Sequence, residues 1–214
     1  MSFTVTFDLD GKATLTSGDL VQTVASGDSA TAPVISAKAG FVFVEWSEDF
    51  TNITADLTVE AVYKADPNVF ALCEFIAENL LLDADFLAFC AAEFSANPKI
   101  FVGFDTNKLP AASQNPFVVI SPSSSQNQET THLQQGIFIA AVCRDSTKTE
   151  STSITKHEGY RTIADFESAL FQAVERILSE QNNFYSMLSW GSVQYECYYP
   201  EFHAARDLTI SSNF

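Results

Sequence analysis

Apolar and polar residues alternate along three segments in the first third of the chain. In Phe3-Thr4-Val5-Thr6-Phe7 the apolar side chains fall on one face of an extended strand. The segments Gly40 to Trp46 and Leu57 to Tyr63 repeat this signal, and polar turns such as Asp8 to Gly11 separate the strands. The alternation predicts a small all-β or β-grasp-like module over residues 1–66.

Helical spacing begins abruptly after Asp66-Pro67. Asp66 is a suitable N-cap, and Pro67 suits the first helical position because its missing N–H needs no partner there. Residues Val69 to Leu80 place their apolar side chains on one helical face. We therefore predict a domain boundary at about Asp66, with domains at residues 1–66 and 67–214.

The helical pattern is interrupted once before it ends. Asp83 and Asp85 break it, and it continues from Phe86 to Phe94. This spacing predicts either two short helices or one bent helix. A brief edge strand is predicted at Ile100 to Gly103.

A composite apolar and polar pattern follows Pro116. An apolar strand, Phe117 to Ile120, precedes a polar loop, Ser121 to Gln135, and a second strand, Gly136 to Cys143, which is apolar on both faces like an interior strand. The loop has few apolar groups to offset the entropy of ordering, so it is predicted to be mobile in the free protein. Long loops are either binding elements or ordinary disorder. As a binding element it offers these partner-binding candidates: Ser123, Ser124, Gln126, Asn127, Gln128, Glu129 and His132.

One long amphipathic helix is predicted after a second polar loop. It runs from Ile163 to Ser179, and Thr162 and Asp165 form a capping-box-like start. Two short closing strands are predicted at Val193 to Cys197 and Asp207 to Ser211.

Composition and charge limit the classes of function. Hydrophobic residues make up 46% of the chain, enough for sizeable cores, and no apolar run approaches a membrane span. The N-terminus, Met1 to Thr4, lacks the charged head and apolar region of a secretory signal, which favours a cytosolic protein. The 27 acidic and 11 basic residues give a net charge of −16, which argues against tight nucleic-acid binding.

Residues with catalytic or metal-binding chemistry are scattered. The four cysteines show no C-x-x-C spacing, and the three histidines, His132, His157 and His203, each stand alone in a polar stretch. No nucleophile elbow, phosphate-binding loop or dinucleotide-binding turn occurs in the sequence. The pairs Asp8/Asp10 and Asp83/Asp85 serve as turn and cap residues or as calcium ligands. The sequence predicts no enzyme activity, no cofactor and no metal site.

Some aromatic residues fit either core packing or ligand binding. Trp46, Phe41 and Phe43 are interpreted as core residues, with stacking on a ligand as the alternative. Tyr198 and Tyr199, next to Pro200, fit either role.

The first segment resembles a known repeat family. Phe3 to Asp8, Ala39 to Phe43 leading to Trp46, and Thr54 to Val59 ending in Tyr63 are similar to the internalin B-repeat (Listeria-Bacteroides repeat) family of bacterial surface proteins. The chain departs from the family pattern with Gly11-Lys12 for a double glycine, with Glu45 for a glycine and with Tyr63 for a frequent tryptophan. The resemblance implies the fold of this module but no particular ligand.

The remaining residues, 67–214, resemble bacteriophage tail terminator and tail-completion proteins. The resemblance rests on helices with an acidic break, the entry Asn115 to Ile120, the strand Gly136 to Cys143, Gly159-Tyr160 before the long helix, and the final strand Arg206 to Ile210. It implies an α+β domain, an antiparallel sheet covered by helices.

This second resemblance also implies a function and partners. The protein is expected to form a homohexameric ring that caps the tail tube in the phage virion, after assembly in the bacterial host cytoplasm. Its partners would be further copies of itself, the tail tube protein and a head-completion protein, with no membrane and no tight nucleic-acid binding. The alternative is a bacterial surface or secreted binding protein whose repeat module recruits a ligand.

Overall fold

The computed structural model describes residues 1–103, 110, 114–127 and 132–213. The chain divides into two compact units, Met1–Asp66 and Pro67–Phe214. The division falls where alternating strand residues give way to helical spacing.

The first unit is built from strands. They are β1 (Ser2–Asp8), β2 (Ala13–Ser17), β3 (Val21–Ala25), β4 (Val34–Ala37), β5 (Phe41–Trp46) and β6 (Leu57–Ala65). One sheet has the order β3-β1-β6-β5, and β2 pairs separately with β4. Strands β1 and β6 run parallel, whereas their outer neighbours are antiparallel to them. Residues 1–66, all described, contain no helix, so the all-β prediction is confirmed and the β-grasp comparison stays a prediction.

Aromatic packing closes the core of the first unit. Val5 is fully buried and Phe7 is 2% exposed. The Trp46 ring lies edge-on to Phe7, with centroids 5.0 Å apart, and 5.2 Å from Phe43. Phe41 is buried as well. Large rings contribute much of the apolar area of a small core. The interpretation of Trp46, Phe41 and Phe43 as core residues is confirmed.

The second unit is a mixed α+β structure. Its described elements are α1 (Val69–Leu80), α2 (Ala84–Phe94), β7 (Lys99–Val102), β8 (Phe117–Asn127), β9 (His132–Arg144), β10 (Lys148–Glu150), β11 (Thr155–His157), α3 (Gly159–Glu180), β12 (Tyr185–Trp190), β13 (Gln194–Tyr198) and β14 (Glu201–Asn213). The main sheet has the order β12-β14-β9-β8-β7, and β13 pairs with β14 beyond the end of β12. The antiparallel prediction holds for the pairs of β8, β9, β12, β13 and β14, but β7 runs parallel to β8, so the sheet is mixed.

Helices cover one face of this sheet. Helix α1 contacts β7, β8 and β9, helix α3 contacts β9, β12 and β14, and α2 packs on α3. Every second residue of β9 faces them, and Ile137, Ile139 and Ala141 are fully buried there. We call this side of the sheet the helix face.

Helix α1 begins later than the sequence predicted. Asn68 is its N-cap, and its side-chain oxygen accepts a hydrogen bond from the Phe70 backbone N–H at 3.0 Å. The prediction of Asp66 as N-cap and Pro67 as first helical residue is wrong, because the Asp66 N–H donates to the Gly40 carbonyl and so continues the strand pairing of the first unit.

The acidic break separates two helices. Asp83 is the N-cap of α2 and accepts from the Phe86 N–H at 2.8 Å. It also accepts two hydrogen bonds from the Arg176 guanidinium of α3, at 3.0 and 2.7 Å. These bonds hold the pKa of the Asp83 carboxyl below its usual range, with burial opposing them. The cap role predicted for Asp83 is confirmed.

Helix α3 starts four residues before the predicted Ile163. Its first residue is Gly159, and the preceding Glu158 makes no side-chain cap. Thr162 lies within the first turn, and its hydroxyl donates to Asp145 Oδ2 at 3.0 Å. The Thr162/Asp165 capping box is therefore wrong, because the Thr162 hydroxyl is used to hold the connection that precedes the helix.

The predicted polar loop from Ser121 to Gln135 is largely strand. Strand β8 continues to Asn127 and β9 starts at His132, and the two pair antiparallel along their length. Only residues 128–131 of the predicted loop lie outside the described part of the chain. The prediction of a mobile loop over the whole segment is wrong.

A buried polar contact explains that error. Gln135 and Ser212 are fully buried on the helix face. Ser212 Oγ donates to Gln135 Oε1 at 2.6 Å, and Gln135 Nε2 donates to the Pro67 carbonyl at 2.9 Å. Buried polar groups are tolerated when they are hydrogen-bonded to one another, so polarity alone was a misleading signal for a loop.

The closing strands are longer than predicted. Strand β14, predicted as Asp207 to Ser211, extends over thirteen residues and lies inside the sheet between β9 and the β12/β13 edge. Strand β13 matches the predicted Val193 to Cys197 within one residue, whereas β12 was not predicted. The second polar loop contains the short β10–β11 hairpin.

Candidate functional site

The side of the main sheet opposite the helix face carries a second set of apolar residues, and we call it the far face. Cross-strand register places its side chains in neighbouring rows from β13 to β7. In that order they include Gln194, Glu196, Tyr198, Glu201, His203, Ala205, Asp207, Phe138, Ala140, Val142, Arg144, Phe117, Val119, Lys99 and Phe101.

A cavity of about 290 Å³ lies on this far face. Its floor is apolar, and Phe117, Val119, Ala140 and Val142 are between 3% and 8% exposed. Pro110 is a further described residue of its lining. We call this cavity the far-face pocket. Apolar concave surfaces with a few polar groups are the usual form of small-molecule sites.

Polar side chains from the β13–β14 hairpin form one rim of the far-face pocket. Glu196 lies directly opposite His203 in the register, and Tyr198 lies opposite Glu201. The Tyr198 hydroxyl donates to Glu196 Oε2 at 3.1 Å, and its ring lies 5.3 Å from the His203 imidazole. That hydrogen bond to a carboxylate raises the pKa of Tyr198. Two carboxylates, a phenol and an imidazole therefore meet at one edge of an apolar floor.

His203 is a partly exposed member of this rim with one buried ring nitrogen. Burial lowers the pKa of its imidazole, although Glu201 and Glu196 act in the opposite direction. Burial therefore favours the neutral imidazole. Its Nε2 is inaccessible to solvent and has no hydrogen-bond partner among the described residues. Buried polar atoms normally have a partner, so this nitrogen is an exception.

The described lining of the far-face pocket is mainly apolar and acidic. Its described residues include no serine, threonine, cysteine or lysine that His203 could activate as a nucleophile. Nor do the described parts of the chain bring three or more metal-ligating side chains together. The residues offer shape, apolar area and negative charge.

The partner-binding candidates from the sequence belong to the β8–β9 hairpin or lie outside the described residues. Ser123 is exposed at the irregularity between Pro122 and Ser124 in β8 and is not part of the described lining of the far-face pocket. Ser124, Gln126 and Asn127 belong to β8, His132 opens β9, and Gln128 and Glu129 lie outside the described residues. With a rise of about 3.3 Å per strand residue, Ser124 is roughly 17 Å along the strand from Val119. The described candidates thus lie toward the other end of the hairpin, and their role stays a prediction.

Sequence reasoning missed the rim residues Glu196, Glu201 and His203. His203 was interpreted as a structural or solvated histidine, and the glutamates were not singled out. A signal was present, because residues 194, 196 and 198 alternate on one strand and residues 201 and 203 alternate after the Tyr199-Pro200 turn. Recognising a hairpin there would have placed these side chains on one face.

Other ionisable side chains form structural contacts, and the cysteine side chains are free thiols. Glu167 is 4% exposed and pairs with Arg206, whose nitrogen lies 2.6 Å from its carboxylate. The Asp8 carboxylate accepts from the Asp10 N–H at 2.8 Å, which is the predicted turn role. All four cysteines are free thiols, and no disulfide joins them.

The first unit presents polar residues on the outer side of its sheet. Thr4, Thr58 and Glu60 are exposed, whereas their neighbours in the strands are buried in the core. Loop carboxylates support the turns, since Asp56 Oδ1 accepts from the Thr4 N–H at 2.7 Å and Asp49 Oδ1 accepts from the Thr51 N–H at 2.9 Å. The second of these bonds lowers the pKa of Asp49. The outer side of this sheet is therefore exposed and carries polar side chains together with Val62.

Comparison with known proteins identifies the first unit. Residues 3–71 match the family model described as the Listeria-Bacteroides repeat domain. The repeat-family prediction for the N-terminal module is therefore confirmed. Tyr63, which replaces the frequent tryptophan, is 9% exposed and its hydroxyl donates to the Leu9 carbonyl at 3.1 Å. The substitution thus keeps a buried ring and gives its polar atom a partner.

The family match ends at residue 71, near the start of the second unit. No curated protein matches the chain, and the family match covers about a third of its 214 residues. No described helix has the length and apolar character needed to cross a membrane. The family match therefore identifies a Listeria-Bacteroides repeat domain at residues 3–71.

Proposed function

We propose that this chain is a non-catalytic binding protein of the bacterial surface or secreted class, in which the repeat unit supplies adhesion. The observation that carries the proposal is the repeat-domain match over residues 3–71. The second unit then spaces or presents the repeat unit and contributes a binding pocket of its own.

The structure of the repeat unit supports a binding role. Its core side chains are used in packing, as Phe7 and Trp46 illustrate, and the opposite side of the sheet is polar and exposed. A rigid sheet with an accessible face provides a fixed surface on which a partner can dock. The absence of a nucleophile beside His203 in the described lining is consistent with the same role.

A second candidate function is a ring that caps a phage tail tube. It is favoured by the architecture of the second unit, in which helices cover one side of the main sheet and an apolar far face remains on the other. In this case the far face would lie between copies of the chain, and the tail-terminator fold would apply to residues 67–214. A net charge of −16 per chain would keep the ring from holding DNA.

Fractionation of the native culture tests the first proposal. An antibody against the full chain should find the protein in the medium or on intact cells, where protease added outside removes it. A cytosolic marker that survives the same treatment is the control. Recovery of the protein only with sedimenting phage particles would contradict the proposal and support the tail-cap function.

A further inference from the structure

The far-face pocket has features that no family match explains, because the repeat-domain match ends at residue 71. Its floor is formed by side chains from β8, β9 and β14, three neighbouring strands of one sheet. A site built on paired strands is more rigid than one built on loops. The pocket is therefore preformed.

We propose that the far-face pocket binds a small organic cation with an apolar body, such as a primary arylalkylamine. The proposal goes beyond the proposed adhesion function, which concerns the repeat unit. It rests on the size of the cavity, its apolar floor and the charges on its rim.

Size limits the ligand first. The volume of about 290 Å³ is at the lower end of the range for small-molecule sites, about 300 to 1,000 Å³. A single aromatic ring with a short alkyl arm fits such a space. The floor offers Phe117 and Phe138 to that ring, and aromatic pairs are favourable beyond their buried area.

Charge complementarity then selects a cation. Glu196 and Glu201 line the rim, and no lysine or arginine belongs to the described lining. Arg144 lies opposite Glu201 and Lys99 lies opposite Phe117 in the sheet register. Both are exposed, neither belongs to the described lining, and neither forms an ion pair with Glu196 or Glu201 among the described contacts. An ammonium group at this rim would gain from both carboxylates, while an anion would be repelled.

The partly exposed imidazole of His203 lies beside these carboxylates in the lining. An ammonium group has three donors and no acceptor, so it suits a rim of two carboxylates. The Tyr198 ring beside His203 offers a further aromatic surface to a cation.

Calorimetric titration of the full chain tests the proposal with three matched probes. They are 2-phenylethylamine, the uncharged 2-phenylethanol and the anionic 3-phenylpropanoate. The amine should bind most tightly, the alcohol more weakly and the carboxylate least. Equal binding of amine and alcohol, tighter binding of the carboxylate, or no binding of the amine at concentrations up to about 10 mM would overturn the proposal.

Variants of the rim locate the site. Glu196→Gln and Glu201→Gln should each weaken amine binding about fivefold, the size expected of a solvent-exposed ion pair. Alcohol binding should stay unchanged in both. Glu150→Gln, an exposed change on β10 with the same effect on net charge, is the matched control and should leave amine binding intact.

Two results would place the amine elsewhere or identify another occupant. If Glu150→Gln weakened binding as much as the rim variants, the amine would be responding to overall charge, and the proposal would fail. If a lysine-containing peptide bound at the rim while 2-phenylethylamine did not, the occupant would be a polypeptide side chain, and the small-molecule assignment would be wrong. Neither result affects the adhesion proposal, which depends on where the native protein is found.

Discussion

The two faces of the main sheet are made by alternate residues of the same strands, yet they have different surroundings. Ile137 and Ile139 lie under the helices and are fully buried. Phe138 and Ala140, their neighbours in β9, line a cavity instead. Helical side chains fill the space above one face, while the other keeps room for a ligand. A strand that is apolar on both sides therefore need not be a purely structural interior strand.

Thiol reactivity should show the largest difference, between the positions buried under the helices and the edge strand β13. Cys73, Cys90 and Cys143 are fully buried, and burial raises the pKa of each thiol to about 12. Cys197, on β13, is partly exposed. Since the thiolate is the reactive form, a pKa near 12 slows labelling at pH 8 about a thousandfold. Mass spectrometry after brief alkylation should find label on Cys197 alone, with the others labelled only in denaturant.

Rapid native labelling of Cys143 would contradict this account of the helix face. Cys197→Ser is the control, because it should abolish labelling of the native protein without changing the labelling of the unfolded chain.

Substitution of Gly159 should reveal how tightly the helix face is packed. A Cβ atom at this position would lie 2.1 Å from a ring carbon of the buried Phe202. Alanine should therefore destabilise the protein by about 1–3 kcal/mol through overpacking, although alanine is favoured over glycine in a helix by about 1 kcal/mol. Urea unfolding of Gly159→Ala measures the change.

Ser168→Ala, at an exposed position of the same helix, provides the comparison and should change stability by less than about 0.5 kcal/mol. If Gly159→Ala were as stable as the parent chain, the close contact with Phe202 would not exist.

The ion pair that joins α2 to α3 should make a smaller contribution. Asp83→Asn keeps a suitable N-cap residue but loses the charge opposite Arg176, which is 38% exposed on its side chain. Solvent screening limits the expected loss to about 1 kcal/mol at pH 7. Asp85→Asn is the control, since its carboxylate is 85% exposed and 3.9 Å from the same guanidinium.

Acid should remove the Asp83 contribution. The folded pKa of Asp83 is lowered below its unfolded value. Its stabilisation is therefore present above the unfolded pKa, about 3.9, and is lost as pH falls through the lower folded pKa. The difference in unfolding free energy between parent and Asp83→Asn should shrink over that range. A difference that stayed constant with pH would exclude the ion pair as its source.

Substitutions on the rim of the far face should have the smallest effect on stability. Glu196 is exposed, and its side chain contacts the Tyr198 hydroxyl, which is also exposed. Glu196→Gln should therefore change the free energy of unfolding by less than about 0.5 kcal/mol in urea titrations. A loss of several kcal/mol would mean that the rim is structural, and the contrast between the two faces would not hold.

Local patterns in the sequence predicted those parts of the fold that depend on local residues. Alternation located β1, β5 and β6, and the acidic break at Asp83 located the gap between α1 and α2. Both signals lie within a few residues of the element that they define. The same holds for the repeat-family resemblance, which uses spaced residues of a single module.

Contacts between distant residues were not predictable in this way. Gln135 and Ser212 are 77 positions apart and satisfy each other only in the folded sheet. Gly159 starts α3 against Phe202, a residue that sequence reasoning assigned to a connection between strands. The far-face pocket likewise depends on the register of four strands, β8, β9, β13 and β14, which no local pattern of polarity contains.

The mass of the native protein tests the central claim most directly, because a binding protein leaves the far face accessible and a ring covers it with neighbouring copies. Native mass spectrometry of the full chain at micromolar concentration, repeated on dilution, should give a single chain of 23.4 kDa. A stable assembly near six times that mass, unchanged by dilution, would contradict the account and favour the tail-cap function.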